Sequence, residues 1–566
     1  MGRLAGLHRG SRSTSVQPGE ATTRPPAEPP GEPPAERPVR YWALLFLVCV
    51  AATFANFAVW SWATPLFASP DEPTQVARAA AVVRGQFVGA TVGTDRNAMT
   101  TVRIPYVLAA GEPMAECFQF RARVPASCQP PMPTSTKLIS IPTYVGRYPP
   151  LYYLIVGLPS RVAVSARGVY FMRLASALLN AVLISLALLS VARWSRNKLL
   201  FLALMAAATP TAWFLGGVVN PSGLEISAAI CLWTSGAVLL FEHADAPPRG
   251  LVALVAVAFA ALVLTRPLSP LWCAIAVGVL ALAGGTRRVR ALVADRSVQW
   301  AIAALAACSA FAVWWILDVH SLDLEPSTAP VPHPEDFAHV VPAILSHVGS
   351  WTQEMIGVFG WLDTPSPLVT YVAWGVVVGL LVVFAWVRAR NGVREAREAL
   401  AVALAALAVV VVPTAIVYRE VHRLGIVWQG RDILPVAVGV PVVAAGVIGA
   451  HGLRKRASRR VVTSCVAACA LLGIADLAAF FEALRRYAVG VDGPLDFLAG
   501  AWHPPLGSAA ALTAALASVA TLALIVSWGV VRLPSPISAP RPDSLISERA
   551  SNGQRVGSDA ECRPGS

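Results

Sequence analysis

The chain has 566 residues, of which 56% are hydrophobic and 14% are charged, and its formal net charge is +13. This composition excludes an ordinary soluble protein, because apolar runs of about 18 or more residues recur along the chain and each is long enough to cross a bilayer core. The basic excess does not indicate nucleic-acid binding, since the arginines fall in short loops between apolar runs. The sequence predicts an all-α, multi-pass protein of the plasma membrane.

Residues 1–40 are rich in Pro, Glu, Arg and Ser, and we expect a disordered tail because they cannot bury a core. Arg37 and Arg40 precede the first apolar segment and place this tail in the cytoplasm. The membrane domain is predicted over residues 41–531. A second disordered cytoplasmic tail is predicted over residues 532–566.

The segment 63–167 is then predicted as a large extracytoplasmic loop. It contains Ser69-Pro70-Asp71-Glu72-Pro73, which opens a helical stretch. Cys117 and Cys128 lie eleven positions apart in the same loop, and a disulfide is expected if the loop faces an oxidising compartment. The apolar run 151–164 is short and interrupted by a proline, which predicts an interfacial or re-entrant helix and not a full span.

Eleven further spans follow, which makes about twelve with the first. Their predicted bounds are 168–192, 199–217, 224–242, 250–265, 267–285, 298–317, 368–387, 399–417, 433–450, 461–481 and 508–531. With these bounds the Arg-rich loops fall on the cytoplasmic side, as the positive-inside rule requires. Most of the acidic and aromatic loop residues fall outside, which indicates chemistry or recognition at the outer leaflet.

The adjacent carboxylates of Asp71 and Glu72 are the first candidate site. A carboxylate at a membrane surface is costly to bury and is normally hydrated or paired, so this pair is a candidate functional site. The alternative is a simple helix start, because proline and acidic residues are favoured in the first turn. No spacing of Cys or His residues indicates a metal site, and no nucleotide-binding glycine loop is present.

The pattern resembles the GT-C-type membrane glycosyltransferases. The resemblance rests on Pro70-Asp71-Glu72 after the first span, on the run from Tyr148 to Tyr153, and on Asn220-Pro221. The chain is also similar to an uncharacterised family of bacterial predicted membrane proteins that is common in actinobacteria. That similarity covers about residues 41–531 and includes the segments 357–363 and 429–431.

The resemblance implies transfer of a sugar from a polyprenyl-phosphate carrier to a cell-envelope glycan, lipid or protein at the outer face. Asp71 would act as the base that removes the acceptor proton, and Glu72 would be a second acid, a metal contact or the partner of an arginine. Arginine side chains would bind the lipid phosphate and offset the charge that develops as it leaves. No cofactor is evident, although a divalent cation is possible in this class.

The remaining candidate binding residues are polar or aromatic and lie in predicted outer segments. They are Arg78, Asn220, Arg266, Trp361, Asp363, Gln429 and Arg431. Arg431 is the first candidate for the phosphate, with a salt bridge as the alternative role. Trp361 and Asp363 resemble a sugar-binding pair, with interface anchoring as the alternative. Two rival functions remain open at this point: a lipid-linked glycan flippase or transporter, and a non-catalytic assembly protein.

Overall fold

The computed structural model describes residues 37–91, 99–323, 337–388, 393–452 and 459–532. The two predicted tails lie almost wholly outside these ranges. Parts of the segments between the predicted spans 298–317 and 368–387, between 368–387 and 399–417, and between 433–450 and 461–481 also lie outside them.

Within the described ranges, ten helices are long and apolar enough to cross a membrane. They are Val39–Ala63, Ala166–Trp194, Pro221–Glu242, Ser269–Ala294, Arg296–Asp318, Leu368–Arg388, Glu395–Val421, Gly430–Ala450, Arg459–Val489 and Ser508–Val531. The predicted all-α membrane fold is confirmed.

Two of the twelve predicted spans take a different form. The span predicted at 199–217 consists of helices Leu199–Ala207 and Pro210–Gly216, which are bent by 61°. Pro210 causes the break, because it lacks an N–H group and disfavours a helical residue before it. The span predicted at 250–265 is the helix Arg249–Val263, whose 15 residues are fewer than the roughly 20 that a bilayer core requires. The count of twelve stays a prediction.

The segment between the first two spans forms a compact mixed structure. Its helices are Glu72–Val82, Tyr106–Ala109, Gly111–Ala115, Ala126–Cys128, Leu151–Val156 and Pro159–Val162, of which Ala126–Cys128 is a 3-10 helix. The helices within 151–164 have six and four residues, too short to cross a bilayer, which agrees with the prediction for this run.

A small sheet in this segment was not predicted. Strands Ala90–Thr91, Thr100–Pro105 and Leu138–Thr143 form an antiparallel sheet in that order. Val102 and Ile104 are buried and alternate with more exposed neighbours, which is the period-two pattern of a half-buried strand. The alternating sequence pattern that could have predicted these strands was short and lay among prolines.

A second structured segment between long helices precedes the sixth of them. It contains helices Phe337–Leu345 and Val348–Gly357 and the paired strands Val358–Phe359 and Thr364–Pro365. Thr209 and Thr211, at the break between the two short helices, donate to the carbonyls of Met355 and Glu354, each at 2.8 Å. The break in the bundle therefore fixes the end of helix Val348–Gly357.

The helix Pro221–Glu242 lies at the centre of the bundle and is buried along nearly its whole length. It packs against Ala166–Trp194, Arg249–Val263 and Ser269–Ala294. The first span packs against Ala166–Trp194 and against the last helix. The segment 64–165 contacts the ends of these central helices, and this contact positions the candidate site.

A disulfide joins Cys117 to Cys128, with the Cα atoms 6.0 Å apart. Arg486, near the end of Arg459–Val489, donates to the carbonyls of Phe118 and Val124 on this loop, each at 2.9 Å. The disulfide loop is therefore attached to the helical bundle through a buried guanidinium group.

Candidate functional site

Asp71 immediately precedes the helix Glu72–Val82 and has a left-handed backbone conformation, with φ of 61°. Its carboxylate accepts a hydrogen bond from the Tyr144 hydroxyl at 2.7 Å and forms an ion pair with Arg431. A quarter of the Asp71 side chain is exposed (25%), so the carboxylate is oriented by two partners and is still accessible. This is the geometry that a surface base requires.

The environment of Asp71 favours its ionised form. Burial acts to raise the pKa of Asp71, but the Arg431 charge and the hydrogen bond from Tyr144 outweigh burial, with a smaller contribution from Arg266. The pKa of Asp71 therefore lies below its usual value. The carboxylate is ionised at neutral pH and can accept a proton.

Arg431 lies in the first turn of helix Gly430–Ala437 and is buried. One terminal nitrogen, Nη2, pairs with Asp71, whereas the buried Nε and Nη1 groups have no hydrogen-bond partner. Leaving donors of a charged group unsatisfied in a buried site is costly. Two unsatisfied donors on one guanidinium group therefore indicate a site for an acceptor such as an anion.

A narrow cleft adjoins Arg431. Pro70 and Leu362 contribute to one part of its wall, and Thr211 and Glu354 contribute polar groups. The cleft brings together the Ser69–Pro73 segment, the broken helix pair and the outer helix Val348–Gly357. These three segments are far apart in sequence.

Glu354 is a candidate site residue that was not predicted from the sequence. Its carboxylate accepts from the backbone N–H of Gly430 at 2.6 Å and lines the cleft beside Arg431. Burial raises the pKa of Glu354 in spite of that hydrogen bond. The available signal was a lone acidic residue just before the segment 357–363, which had already been identified by resemblance.

Arg266 lies in an ion network next to the cleft. Its Nη1 atom is 2.9 Å from Asp432 Oδ1 and 3.1 Å from Glu225 Oε2. Ser222 Oγ accepts from the same nitrogen at 3.2 Å, and Ser269 donates to Glu225 at 2.7 Å. Two carboxylates thus compensate the Arg266 charge, and Arg266 supports the site beside Arg431.

Glu72 is fully enclosed and does not face the cleft. Its carboxylate binds Arg173 through both oxygens, at 2.7 and 2.5 Å. The backbone N–H groups of Phe67 and Val219 donate to it at 3.0 and 3.1 Å. Of the roles considered for Glu72, the structure shows the arginine partner, and the geometry gives no support to a catalytic role.

We expect Glu72→Gln to destabilise the protein by about 3–5 kcal/mol, because it leaves the buried Arg173 charge without its partner. Thermal or denaturant unfolding of the full chain in detergent measures the loss. Glu116→Gln is the matched control, since it makes the same change at an exposed position of the same segment. Equal unfolding midpoints for the two variants would contradict a stabilising Glu72–Arg173 pair.

Arg78 and Asn220 also have structural contacts instead of the predicted binding role. Arg78 is fully buried and donates to the carbonyls of Phe87 and Tyr148, each at 2.7 Å, and burial lowers its pKa to about 10. Asn220 caps the helix Pro221–Glu242 by accepting from Ser222 N. Its amide donates to the Pro70 carbonyl at 3.0 Å, and so it holds the residue before Asp71.

Both members of the predicted sugar-binding pair contact other protein groups. Trp361 is buried and donates to the Phe67 carbonyl at 3.3 Å. Asp363 forms a nearly buried ion pair with Arg486 at 2.9 Å. Both residues therefore bind protein groups, which does not support direct contact with a sugar.

Gln429 precedes the helix that carries Arg431. Its backbone N–H donates to the Asp432 carboxylate at 3.4 Å. Gln429 thus lies next to the site, and its role in substrate binding stays a prediction. Within the part of the chain that the structure describes, no group of three or more His, Cys, Asp or Glu side chains could hold a metal ion.

The fold defines a multi-pass membrane protein whose candidate site lies where the segments between its long helices meet the bundle. The chain belongs to the family described as "Predicted membrane protein (DUF2142)", which matches residues 54–440. No curated protein matches it significantly in sequence.

Two solved structures are similar to the chain: ArnT from Cupriavidus metallidurans bound to undecaprenyl phosphate, and the same protein in the apo state. Each shares 15% sequence identity with this chain and has a TM-score of 0.41. The matches cover 87% of this chain and 76% of that chain.

Proposed function

We propose that the protein is a membrane glycosyltransferase that moves a sugar from a polyprenyl-phosphate carrier to a cell-envelope acceptor at the outer face of the plasma membrane. Both termini are then cytoplasmic. The observation that carries this proposal is the pair of unsatisfied Arg431 donors beside the ionised carboxylate of Asp71.

A lipid-linked phosphate fits this arrangement better than a soluble anion does. The bilayer holds the polyprenyl chain, so that its phosphate lies at the level of the headgroups, where the segments 64–165 and 348–365 meet the spans. Arg431 can donate further hydrogen bonds to phosphate oxygens from its unpartnered Nε and Nη1 groups. Positive charge at this point would also stabilise the departing phosphate.

The transfer step balances with Asp71 as the base and Arg431 as the phosphate-binding group. The acceptor hydroxyl oxygen attacks the anomeric carbon as the bond from that carbon to the phosphate oxygen breaks. Asp71 accepts the hydroxyl proton, and the electron pair of the broken bond stays on polyprenyl phosphate, whose added negative charge faces Arg431. Glu354, in the same cleft, can bind a hydroxyl group of the acceptor or of the sugar.

Mass spectrometry of a deletion strain tests the proposed function. Envelope glycans and polyprenyl-phosphate sugars are measured in the deletion strain and after complementation with the wild-type gene. A missing sugar, together with accumulation of one lipid-linked donor, is expected. An unchanged glycan profile would contradict the proposal. Transfer by the purified protein in EDTA and after addition of Mg²⁺ or Mn²⁺ tests the need for a divalent cation.

The pH dependence of transfer should report the ionisation of Asp71. The pKa of Asp71 lies below its usual value. The decline of kcat/KM on the acid side should therefore occur at a pH below the ordinary pKa range of an aspartate. Tyr144→Phe removes one hydrogen bond to the carboxylate, so the pKa should rise and the decline should move to higher pH. If the acid-side decline of kcat/KM occurs at the same pH in Tyr144→Phe as in the wild type, the decline does not report the ionisation of Asp71.

A further inference from the structure

A second cavity lies inside the helical bundle, apart from the cleft at Arg431. It lies among the first span, the broken helix pair and the helices Leu368–Arg388, Arg459–Val489 and Ser508–Arg532. Asp476 and Asn56 contribute polar groups to its wall, and most of the remaining wall is aliphatic or aromatic. Asn56 lies seven residues before the end of the first span, which corresponds to a depth of about 10 Å.

Both polar side chains are more than nine-tenths buried, with exposures of 5% for Asp476 and 2% for Asn56. Asp476 Oδ1 has no hydrogen-bond partner, and neither does Asn56 Nδ2. Among the described ion pairs and hydrogen bonds, none involves the Asp476 carboxyl group. Glu225, a carboxylate of the long helix Pro221–Glu242, is by contrast paired with Arg266.

Asp476 is the one ionisable residue that lines this cavity. The packed helices carry their other ionisable groups nearer to their ends or facing elsewhere. In the described residues of these helices they are Arg40, Tyr41, Cys49, Tyr371, Arg388, Arg459, Arg460, Cys465, Cys469, Glu482, Arg485, Arg486, Tyr487 and Arg532. No described basic group therefore compensates a charge on Asp476.

We propose that Asp476 and Asn56 form an intramembrane site for a small monovalent cation, either a proton or Na⁺. A lone carboxylate in an apolar cavity is strongly disfavoured, and binding either cation removes its charge. The cavity has room for roughly one water-sized molecule. A small cation fits this space.

Asn56 can serve either cation. Its Oδ1 atom accepts from Ser518 Oγ at 3.0 Å. A serine hydroxyl both donates and accepts, so the amide can turn and present its oxygen to the cavity while its NH₂ group donates to Ser518. The turned amide would give Na⁺ a second oxygen ligand beside the carboxylate.

The site is adjacent to the cleft but does not depend on the proposed sugar transfer. The short helix Pro210–Gly216 separates the two, since Trp213 lines the cavity while Thr211 and Phe214 line the cleft. The test therefore measures cation binding with no sugar donor present.

Thermal unfolding of the full chain in phosphatidylcholine nanodiscs is compared for the wild type, Asp476→Asn and Asp492→Asn. Asp492 is an exposed control that pairs with Arg123 outside the bundle. Each protein is titrated with NaCl against choline chloride at constant ionic strength, and separately with pH. If Na⁺ binds, the wild-type midpoint should rise by on the order of 1–2 °C per tenfold increase in Na⁺, and Asp476→Asn should not respond.

If a proton binds, the wild-type midpoint should instead fall as the pH rises, because ionising Asp476 charges an apolar cavity. Asp476→Asn should lack that part of the decline. Labelling with dicyclohexylcarbodiimide, which adds to protonated carboxyl groups in apolar surroundings, should then modify Asp476, and protection by Na⁺ would identify sodium as the ligand. Identical responses of the wild type and Asp476→Asn to both titrations would overturn the proposal.

Discussion

Asp71→Asn should reduce sugar transfer by roughly 10²- to 10⁴-fold, the range that loss of a general base produces. The amide is nearly the same size as the carboxylate and can still accept the hydrogen bond from Tyr144, but it cannot accept a proton from the acceptor hydroxyl. Substrate binding should be largely retained, and the loss of folding stability should be smaller than in Glu72→Gln, because the Asp71 side chain is partly exposed. The variant therefore separates the chemistry at Asp71 from its contribution to the architecture.

The measurement is the restoration of the missing envelope sugar in the deletion strain, after membrane levels of each variant have been matched by blotting. Asp492→Asn makes the same change at an exposed outer position and should restore the sugar fully. Full restoration by Asp71→Asn would make Asp71 a helix-start residue. A transport or assembly role would then become the leading hypothesis.

Arg431→Gln should reduce transfer by about 10²- to 10³-fold, as is typical when one group that stabilises developing charge is removed. The guanidinium group has three tasks in the proposed mechanism: it orients Asp71, binds the phosphate and offsets the charge on the leaving group. Arg431→Lys keeps the positive charge but loses the planar fork. We expect it to retain more activity than Arg431→Gln and less than the wild type.

Because Arg431 also pairs with Asp71, a loss of activity alone would not identify the phosphate contact. Binding of polyprenyl phosphate without a sugar gives a direct measurement, and it should weaken in Arg431→Gln but not in Asp71→Asn. Arg123→Gln, at a largely exposed outer position, is the control for loss of a positive charge. Unchanged phosphate binding in Arg431→Gln would exclude Arg431 as the phosphate ligand.

The membrane architecture could be predicted from the sequence because hydropathy and loop charge depend on local composition. The same analysis could not distinguish a straight helix from the pair that is bent before Pro210, since both are apolar over the same length. It also identified Asp71 and Arg431 separately. Their pairing joins residues 360 positions apart, and no local pattern carries that information.

The individual roles were harder to predict, because a residue type does not reveal what surrounds it. Glu72, Arg78 and Asp363 are charged residues in outer segments, as Asp71 is, yet their charged groups are bound by protein groups in the structure. Burial and the number of nearby donors distinguish them from Asp71, and both depend on the tertiary fold. Glu354 was missed for the same reason, since it enters the site only when helix Val348–Gly357 docks.

The left-handed backbone at Asp71 restricts which substitutions can be informative at this position. Aspartate, asparagine and glycine adopt a φ of 61° with little strain, whereas other side chains pay roughly 1–2 kcal/mol, and branched ones clash most. Two requirements thus restrict substitutions at residue 71: the backbone conformation restricts those that fold well, and the need for a carboxylate restricts those that are active. In a library of all substitutions at residue 71, selection for folding should favour Asp, Asn and Gly. Selection for activity should then leave only Asp.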